Sequence, residues 1–240
     1  MFWKDPKGLK SIPMYSKIGI SILLIVAGVG YLLGFANIIT TYSPIDEHPG
    51  MSVADIRIAF YGAREKTRLE KAIDGTMKDY FVDQAGYQAT KEWIAAGGKE
   101  GDFPRIKGIF DLSCNTCHSA DAQVAGVVTV EYENVAEYLK QDTGKSIPRL
   151  ISLSHTHVHG TLPVMFALIF IFSFTLYKNW IKTLVIAFSA AAILVDVGSW
   201  WVAKLAGFLA PVVILGGLTL ALANAALILL PLYELWIKKR

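Results

Sequence analysis

The sequence predicts an all-α membrane protein with four transmembrane helices and a mainly helical exported domain between the first and the second. Three observations lead to this fold class. Hydrophobic residues make up 53% of the 240 residues. The chain contains four long apolar runs, and a helix that spans a bilayer requires about 20 apolar residues in succession. Strand-like sequence is confined to one short stretch, "VVTVEY" at Val127–Tyr132.

The four runs define the predicted order of domains. The first, 18–40, carries no charge and is too long for a cleavable signal peptide, so we interpret it as an uncleaved anchor. The others are Thr161–Tyr177, Thr183–Ala203 and Leu205–Leu232. One acid, Asp196, interrupts the run Thr183–Ala203. The expected parts are a cytoplasmic N-terminus at 1–17, the anchor at 18–40, the exported domain at 41–160, a three-helix transmembrane bundle at 161–232 and a cytoplasmic tail at 233–240.

Lysine and arginine near the helix ends predict the orientation, because these residues concentrate on the cytoplasmic side. They lie before the first run, between the second and third, and after the fourth, whereas the opposite end of the bundle has only Lys204. Both termini are therefore expected inside and the segment 41–160 outside. The residues of the inner side are Lys4, Lys7, Lys10, Lys17, Lys178, Lys182, Lys238, Lys239 and Arg240.

The exported domain is expected to consist of short helices. Ser52 and Asp55 have the spacing of a capping box, and helix-favouring residues follow as far as Phe81, although Gly62 and Gly75 disfavour an unbroken helix. Glycine and proline signals bound the remaining candidates. These are 88–96, 132–141 and a helix that starts at Ser146 and continues into the second transmembrane helix.

The only two cysteines, Cys114 and Cys117, stand in "CNTCH" and are followed directly by His118. A thioredoxin-like redox pair would lie in a βαβ pattern, which does not flank this motif. A zinc site would need further ligands from remote histidines. The third interpretation is covalent c-type haem attachment, with two thioether links and His118 as the proximal iron ligand. We favour one haem c, because the predicted topology independently places the motif on the outer, oxidising side of the membrane.

A second cluster of histidines, "SHTHVHG", lies where the exported domain meets the second transmembrane helix. On a helix His155 and His159 share a face, and His157 points nearly opposite. Either His155 or His157 is a candidate for the second axial ligand of the haem iron. A separate zinc or copper site, and hydrogen bonds to backbone or lipid headgroups, are the other interpretations. The competing axial ligands are Met51, Met77 and His48.

Asp196 lies about two turns from the outer end of the third transmembrane helix. A carboxylate at that depth is costly and marks a candidate functional site. It could stay protonated, or pair with a histidine of the cluster or with Lys204. One candidate role is to accept a proton from a quinol bound at the outer surface, framed by Trp200 and Trp201. The ordinary interpretation is that the tryptophans are interfacial anchors beside a hydrated acid.

Four stretches resemble a poorly characterised family of bacterial membrane-anchored monohaem c-type cytochromes. They are "MSVADIRIAFYGAREKTRLEKAIDGTM", "CNTCH", "SLSHTHVHG" and "DVGSWW", and the likeness spans residues 51 to about 201. Ser154, His155 and His157 match the family's S-H-x-H pattern, whereas His159 stands where phenylalanine is more usual. The resemblance implies redox work at a bacterial inner membrane with the haem on the periplasmic side. It does not supply a substrate.

The expected function is electron transfer by a membrane-bound monohaem c-type cytochrome, between the quinol pool or a partner subunit and an outer-side acceptor. Alternatives are a non-catalytic haem-bearing anchor subunit of a larger respiratory complex and a haem-based redox or gas sensor. The protein is expected to be an electron carrier, and a quinol oxidoreductase role stays open. The expected partners are the lipid bilayer, redox proteins or other respiratory subunits, and a quinol. A net charge of +3 without a basic, aromatic-rich patch argues against nucleic acid.

Overall fold

The computed structural model describes residues 8–43, 45–46, 48–122 and 128–238. Over these residues the protein is all-α, as predicted, and contains no β-strand. Of the strand-like "VVTVEY", Val127 lies outside the described residues, and the remainder leads directly into a helix. The helices, in chain order, are α1 (Met14–Tyr42), α2 (Val53–Phe60), α3 (Arg68–Asp74), α4 (Gln84–Ala95), α5 (Phe103–Ser113), α6 (Asn115–His118), α7 (Tyr132–Ala136), α8 (Ile147–Ser173), α9 (Asn179–Leu205) and α10 (Ala210–Trp236).

Four of these helices, α1, α8, α9 and the helical stretch that contains α10, are long and apolar enough to cross a membrane. The prediction of four spans is therefore confirmed. Ser146 caps α8, as expected, and places the histidine cluster within the first half of this long helix, near the end that joins the intervening segment. The helix ends at Ser173, earlier than the apolar run. It ends there because the Thr175 hydroxyl bonds the Phe172 carbonyl and the Leu176 N–H donates to Glu234.

The transmembrane helices pack around a shared apolar core. Neighbours α9 and α10 are antiparallel and approach closely at Gly216, where a Cβ would lie 3.0 Å from Asp196 Cα. Small residues at such crossings allow helices to pack tightly inside a bilayer. The buried core residues are Leu24, Met165, Leu168, Phe172, Ala192, Ile193, Val197, Leu220, Ala223, Leu227 and Ile228.

Residues 43–146, which we call the intervening segment, hold the short helices α2 to α7. The predicted capping box of Ser52 and Asp55 is present at the start of α2. The helix-favouring run that follows is broken rather than continuous, because Gly62 adopts a φ of 99° and ends α2. The remaining short helices surround a second core, which consists of Ile73, Tyr87, Trp93, Ile94, Phe103, Ile106, Phe110, Val130 and Val135.

The intervening segment packs against the transmembrane bundle through α2. Ile56 and Phe60 of this helix pack with Leu150, Ala203 and Ala210, which belong to α8, α9 and α10. This joint therefore lies at the end of the bundle that holds the histidine cluster and Asp196.

Candidate functional site

The cysteine motif forms one tight turn after α5. The backbone N–H groups of Cys117 and His118 both donate to the Cys114 carbonyl, over 3.1 and 2.9 Å. The two cysteines therefore lie one helical turn apart, on the same side of the turn. No disulfide joins these two residues; Cys114 is half-buried against the core of the intervening segment, and Cys117 is exposed.

Burial raises the pKa of the Cys114 thiol. A thiol with a raised pKa holds less thiolate at neutral pH, and the thiolate is the nucleophile in disulfide exchange. This environment is opposite to that of a thioredoxin-like pair, whose attacking cysteine has a lowered pKa. The structure therefore gives no support to the disulfide-exchange interpretation.

His118 is held in a defined orientation by the chain that follows it. Its Nδ1 lies 2.6 Å from the Val128 carbonyl oxygen, and the Val130 N–H donates to the His118 carbonyl. Because a carbonyl only accepts, Nδ1 is the donor here, and in the neutral imidazole Nε2 presents its lone pair. A histidine that ligates a metal is oriented in this manner, with the second ring nitrogen donating to a carbonyl.

The histidine cluster on α8 divides between two faces, as predicted. The rings of His155 and His159 lie side by side at a tilt of 33°, with centroids 4.2 Å apart, and both residues are exposed. His157 points into the bundle, where its buried Nε2 lies 3.1 Å from Asp196 Oδ2, off the line of an ideal hydrogen bond. We call these two residues the His157–Asp196 pair.

Asp196 is only 5% exposed. Of the partners considered for it, the histidine is the one observed, since Lys204 donates to the Thr143 carbonyl instead. The ring of Trp200 lies 5.0 Å from His157 and 6.2 Å from Phe60 of α2. Asp196 is thus enclosed between α8, α9 and the close crossing with α10, whereas the His157 imidazole stays partly exposed.

Trp201 is also fixed within the protein. Its Nε1 donates to Ser154 Oγ over 3.1 Å, which ties α9 to α8. The two tryptophans therefore contact α2, α8 and the pair, rather than serving only as anchors towards the lipid.

The motif turn and the pair occupy different parts of the structure. Among the described residues, the hydrogen bonds of the His118 ring and carbonyl reach Val128 and Val130. The hydrogen bonds, ion pair and ring contacts of His155 and His157 stay within α8 and α9. In the described part of the chain no three His, Cys, Asp or Glu residues gather as a protein-only metal site, so a zinc or copper centre gains no support.

Sequence reasoning missed two parts of these sites. Helix α5, which positions the motif, was not predicted, although Phe103, Ile106 and Phe110 have helical spacing and Pro104 suits a first turn. The role of Val128 as acceptor for His118 has no sequence signal, because any residue supplies a carbonyl.

The fold and the two sites define a helical membrane protein with a cysteine–histidine turn between its first and second spans. A family described as a transmembrane helical domain matches residues 129–240. This range contains α7 to α10 and the His157–Asp196 pair, and it excludes the cysteine motif. Comparisons with curated proteins and with solved structures gave no significant match.

Proposed function

We propose that this protein is a membrane-bound monohaem c-type cytochrome, which passes electrons between the quinol pool or a partner subunit and an acceptor on the outer side. The observation that carries the proposal is the His118 ring, whose Nδ1 is bound to the Val128 carbonyl while Nε2 is left for a ligand. Cys114 and Cys117 lie within one turn of it and are not joined by a disulfide. The haem would supply one-electron chemistry.

The residues of the turn fit the group. Cys114 and Cys117 would form the two thioether links, and His118 would supply the proximal nitrogen. Cys114 also packs against the aromatic core that includes Phe110, which would shelter an apolar group from water. The lysine distribution supports an orientation with this turn on the periplasmic face of a bacterial inner membrane.

The second axial ligand is proposed to be His155 or His157. The exposed ring of His155 favours the former, because Nε2 of His157 is directed towards Asp196 inside the bundle. The contacts of the motif turn do not reach either residue, so this assignment depends on the spectra described below.

The His157–Asp196 pair is proposed as the proton acceptor for a quinol at the outer surface. Oxidation of a quinol to a quinone releases two electrons and two protons. A single haem would take the two electrons in two successive one-electron steps, passing the first to the acceptor before the second, and a proton acceptor would be needed beside it. A buried carboxylate against an imidazole can hold one of these protons by redistributing it between the two groups.

The haem assignment is tested on protein purified from cells that assemble c-type cytochromes. We expect a peroxidase-staining band on a denaturing gel and a c-type pyridine haemochrome, both lost in the double variant Cys114→Ser/Cys117→Ser. Low-spin spectra of His155→Ala and His157→Ala, with His159→Ala as the matched control, identify the axial ligand. A carbon monoxide spectrum that stays flat separates an electron carrier from a gas sensor.

The absence of a covalent haem band from correctly folded wild-type protein would contradict the proposal. If His155→Ala and His157→Ala both keep the wild-type low-spin spectrum, the histidine assignment is wrong, and the competitors Met51, Met77 and His48 become the candidates.

A further inference from the structure

Four side-chain polar atoms in the described part of the chain are buried without a hydrogen-bond partner, and all four lie in the transmembrane bundle. They are Tyr31 Oη, His157 Nε2, Ser189 Oγ and Asn224 Oδ1. His157 has Asp196 beside it. The other three have no such neighbour, and a buried polar atom without a partner costs a substantial part of its hydration free energy.

Ser189 and Asn224 lie at the same depth. Asp196 faces Gly216 across the α9–α10 crossing, where a Cβ on Gly216 would lie 3.0 Å from both Asp196 Cα and Ser199 Oγ. Ser189 precedes Asp196 by seven residues, which is two turns on the same face of α9. Asn224 follows Gly216 by eight residues on the antiparallel α10. Both are therefore about 10 Å further inward than Asp196.

Tyr31 reaches the same level from α1. A Cβ on Gly28 would lie 4.0 Å from Ile228 Cδ1, which sets the register of α1 against α10. From that contact Tyr31 is three residues outward on α1, and Asn224 is four residues outward on α10. Residues at these spacings share a helix face, so Tyr31 and Asn224 both lie along the contact between α1 and α10.

The chemistry of the three groups selects the ligand. Asn224 Nδ2 already donates to the Leu220 carbonyl over 2.9 Å, so Oδ1 is left as an acceptor. The hydroxyls of Tyr31 and Ser189 can each donate or accept. The group carries no charge, and Ser189 and Asn224 are 0% and 1% exposed. A small neutral molecule that both donates and accepts hydrogen bonds fits this set, and a bound ion does not.

We propose that Tyr31, Ser189 and Asn224 form a buried water site in the middle of the transmembrane bundle, two helical turns inward of the His157–Asp196 pair. Buried water typically makes about three hydrogen bonds to polar groups that lack other partners. The three side chains offer that number. This water site does not depend on the haem or on a quinol, so its tests are independent of the tests of the proposed function.

The first test uses the sign of a stability change in the full-length protein in lipid nanodiscs. Removing a dry, unpaired hydroxyl raises the melting temperature, whereas removing a hydroxyl bound to water lowers it. We expect Ser189→Ala and Tyr31→Phe each to lower it by about 2–4 °C. The control is Thr219→Val, since the exposed Thr219 hydroxyl bonds only the Leu215 carbonyl of its own helix.

The second test locates the water directly by radiolytic hydroxyl-radical labelling. Met165 is 2% exposed and lies eight residues after His157 on α8, at the depth of Ser189. Radicals formed from buried water should oxidise Met165 and Tyr31 in the wild type and label Met165 several-fold less in Asn224→Leu. The exposed Met14 should be labelled equally in both proteins.

The proposal is overturned if Met165 and Tyr31 stay unlabelled in the wild type. It is also overturned if Ser189→Ala and Tyr31→Phe both raise the melting temperature, because the hydroxyls would then be dry.

Discussion

At the residue scale, Asp196 shows how far sequence reasoning reaches. An acid inside an apolar run is visible in the sequence, and the cost of burying it predicts a partner. The sequence could not show whether this partner is a histidine of the cluster or Lys204, because the answer depends on the register of α8 against α9. The structure supplies that register and places His157 Nε2 3.1 Å from the carboxylate.

The role of the pair can be measured by quinol-driven reduction of the protein. We expect Asp196→Asn and His157→Gln each to slow the reaction at least 10-fold, because a positioned proton acceptor typically contributes 10²–10⁴ to a rate. His159→Gln is the matched control, since His159 lies on the exposed face of the same helix. Rates equal to wild type in both variants of the pair would remove it from the mechanism.

Asp74 is a buried acid of a different kind, in the intervening segment. Burial alone would raise the pKa of its carboxyl, but hydrogen bonds from Lys66, Lys91 and Tyr87 lower that pKa to about 2. Because the folded-state pKa lies below the ordinary value, the stabilisation is fully present above about pH 4. It is lost as the pH falls towards 2.

We therefore expect Asp74→Asn to reduce the free energy of unfolding of this segment by about 1–2 kcal/mol at neutral pH. The difference from wild type should vanish as the pH approaches 2. Melting curves recorded as a function of pH measure this effect. Asp111→Asn removes an exposed ion pair with Lys107 and should change little. A difference that is independent of pH would show that the Asp74 charge is not the cause.

At the element scale, the break between α2 and α3 depends on two glycines that meet. Gly62 and Gly144 adopt φ values of 99° and 68°. A Cβ added to either glycine would collide with the backbone around the other. Asp142 reinforces this contact by accepting from the Ala63 and Gly144 N–H groups, both over 2.9 Å. The sequence showed that Gly62 disfavours a helix, but not that it meets a distant glycine.

Gly62→Ala should therefore be strongly destabilising, by about 2 kcal/mol or more, since it combines backbone strain with a clash. The control is Gly108→Ala within α5, where an added Cβ would meet open space. That change should instead stabilise by about 0.5–1 kcal/mol, because alanine favours helix. Hydrogen–deuterium exchange of the α5 backbone amides as a function of denaturant reports on the segment, since six tryptophans contribute to the protein's fluorescence. Equal tolerance of both substitutions would contradict the assigned contact.

At the scale of the whole molecule, hydrophobicity alone predicted the four spans. A single long apolar segment can satisfy its backbone hydrogen bonds inside a bilayer only by forming a helix. The short helices between α1 and α8 were predicted less well. Their packing depends on contacts between residues far apart in sequence, such as the aromatic core around Phe103 and Tyr132. The cysteine motif was visible in the sequence, whereas the support that Val128 gives to His118 was not.

The orientation of the molecule remains a prediction with a direct test. Fusing green fluorescent protein after residue 240 should give fluorescent cells, because this reporter folds in the cytoplasm. Alkaline phosphatase fused after Gln141 should be active, because it requires the outer compartment. The reverse pair of results would place the cysteine motif in the reducing cytoplasm and exclude the proposed attachment of haem.

Trp200 contacts both α2 and the His157–Asp196 pair. Its indole lies against Phe60 of α2 on one side and against the His157 imidazole, 5.0 Å away, on the other. A protonated imidazole is attracted to an indole face more strongly than a neutral one. Protonation of His157 should therefore strengthen the Trp200 contact beside α2. By thermodynamic reciprocity, a partner bound to α2 would change the proton affinity of the pair near this end of the bundle.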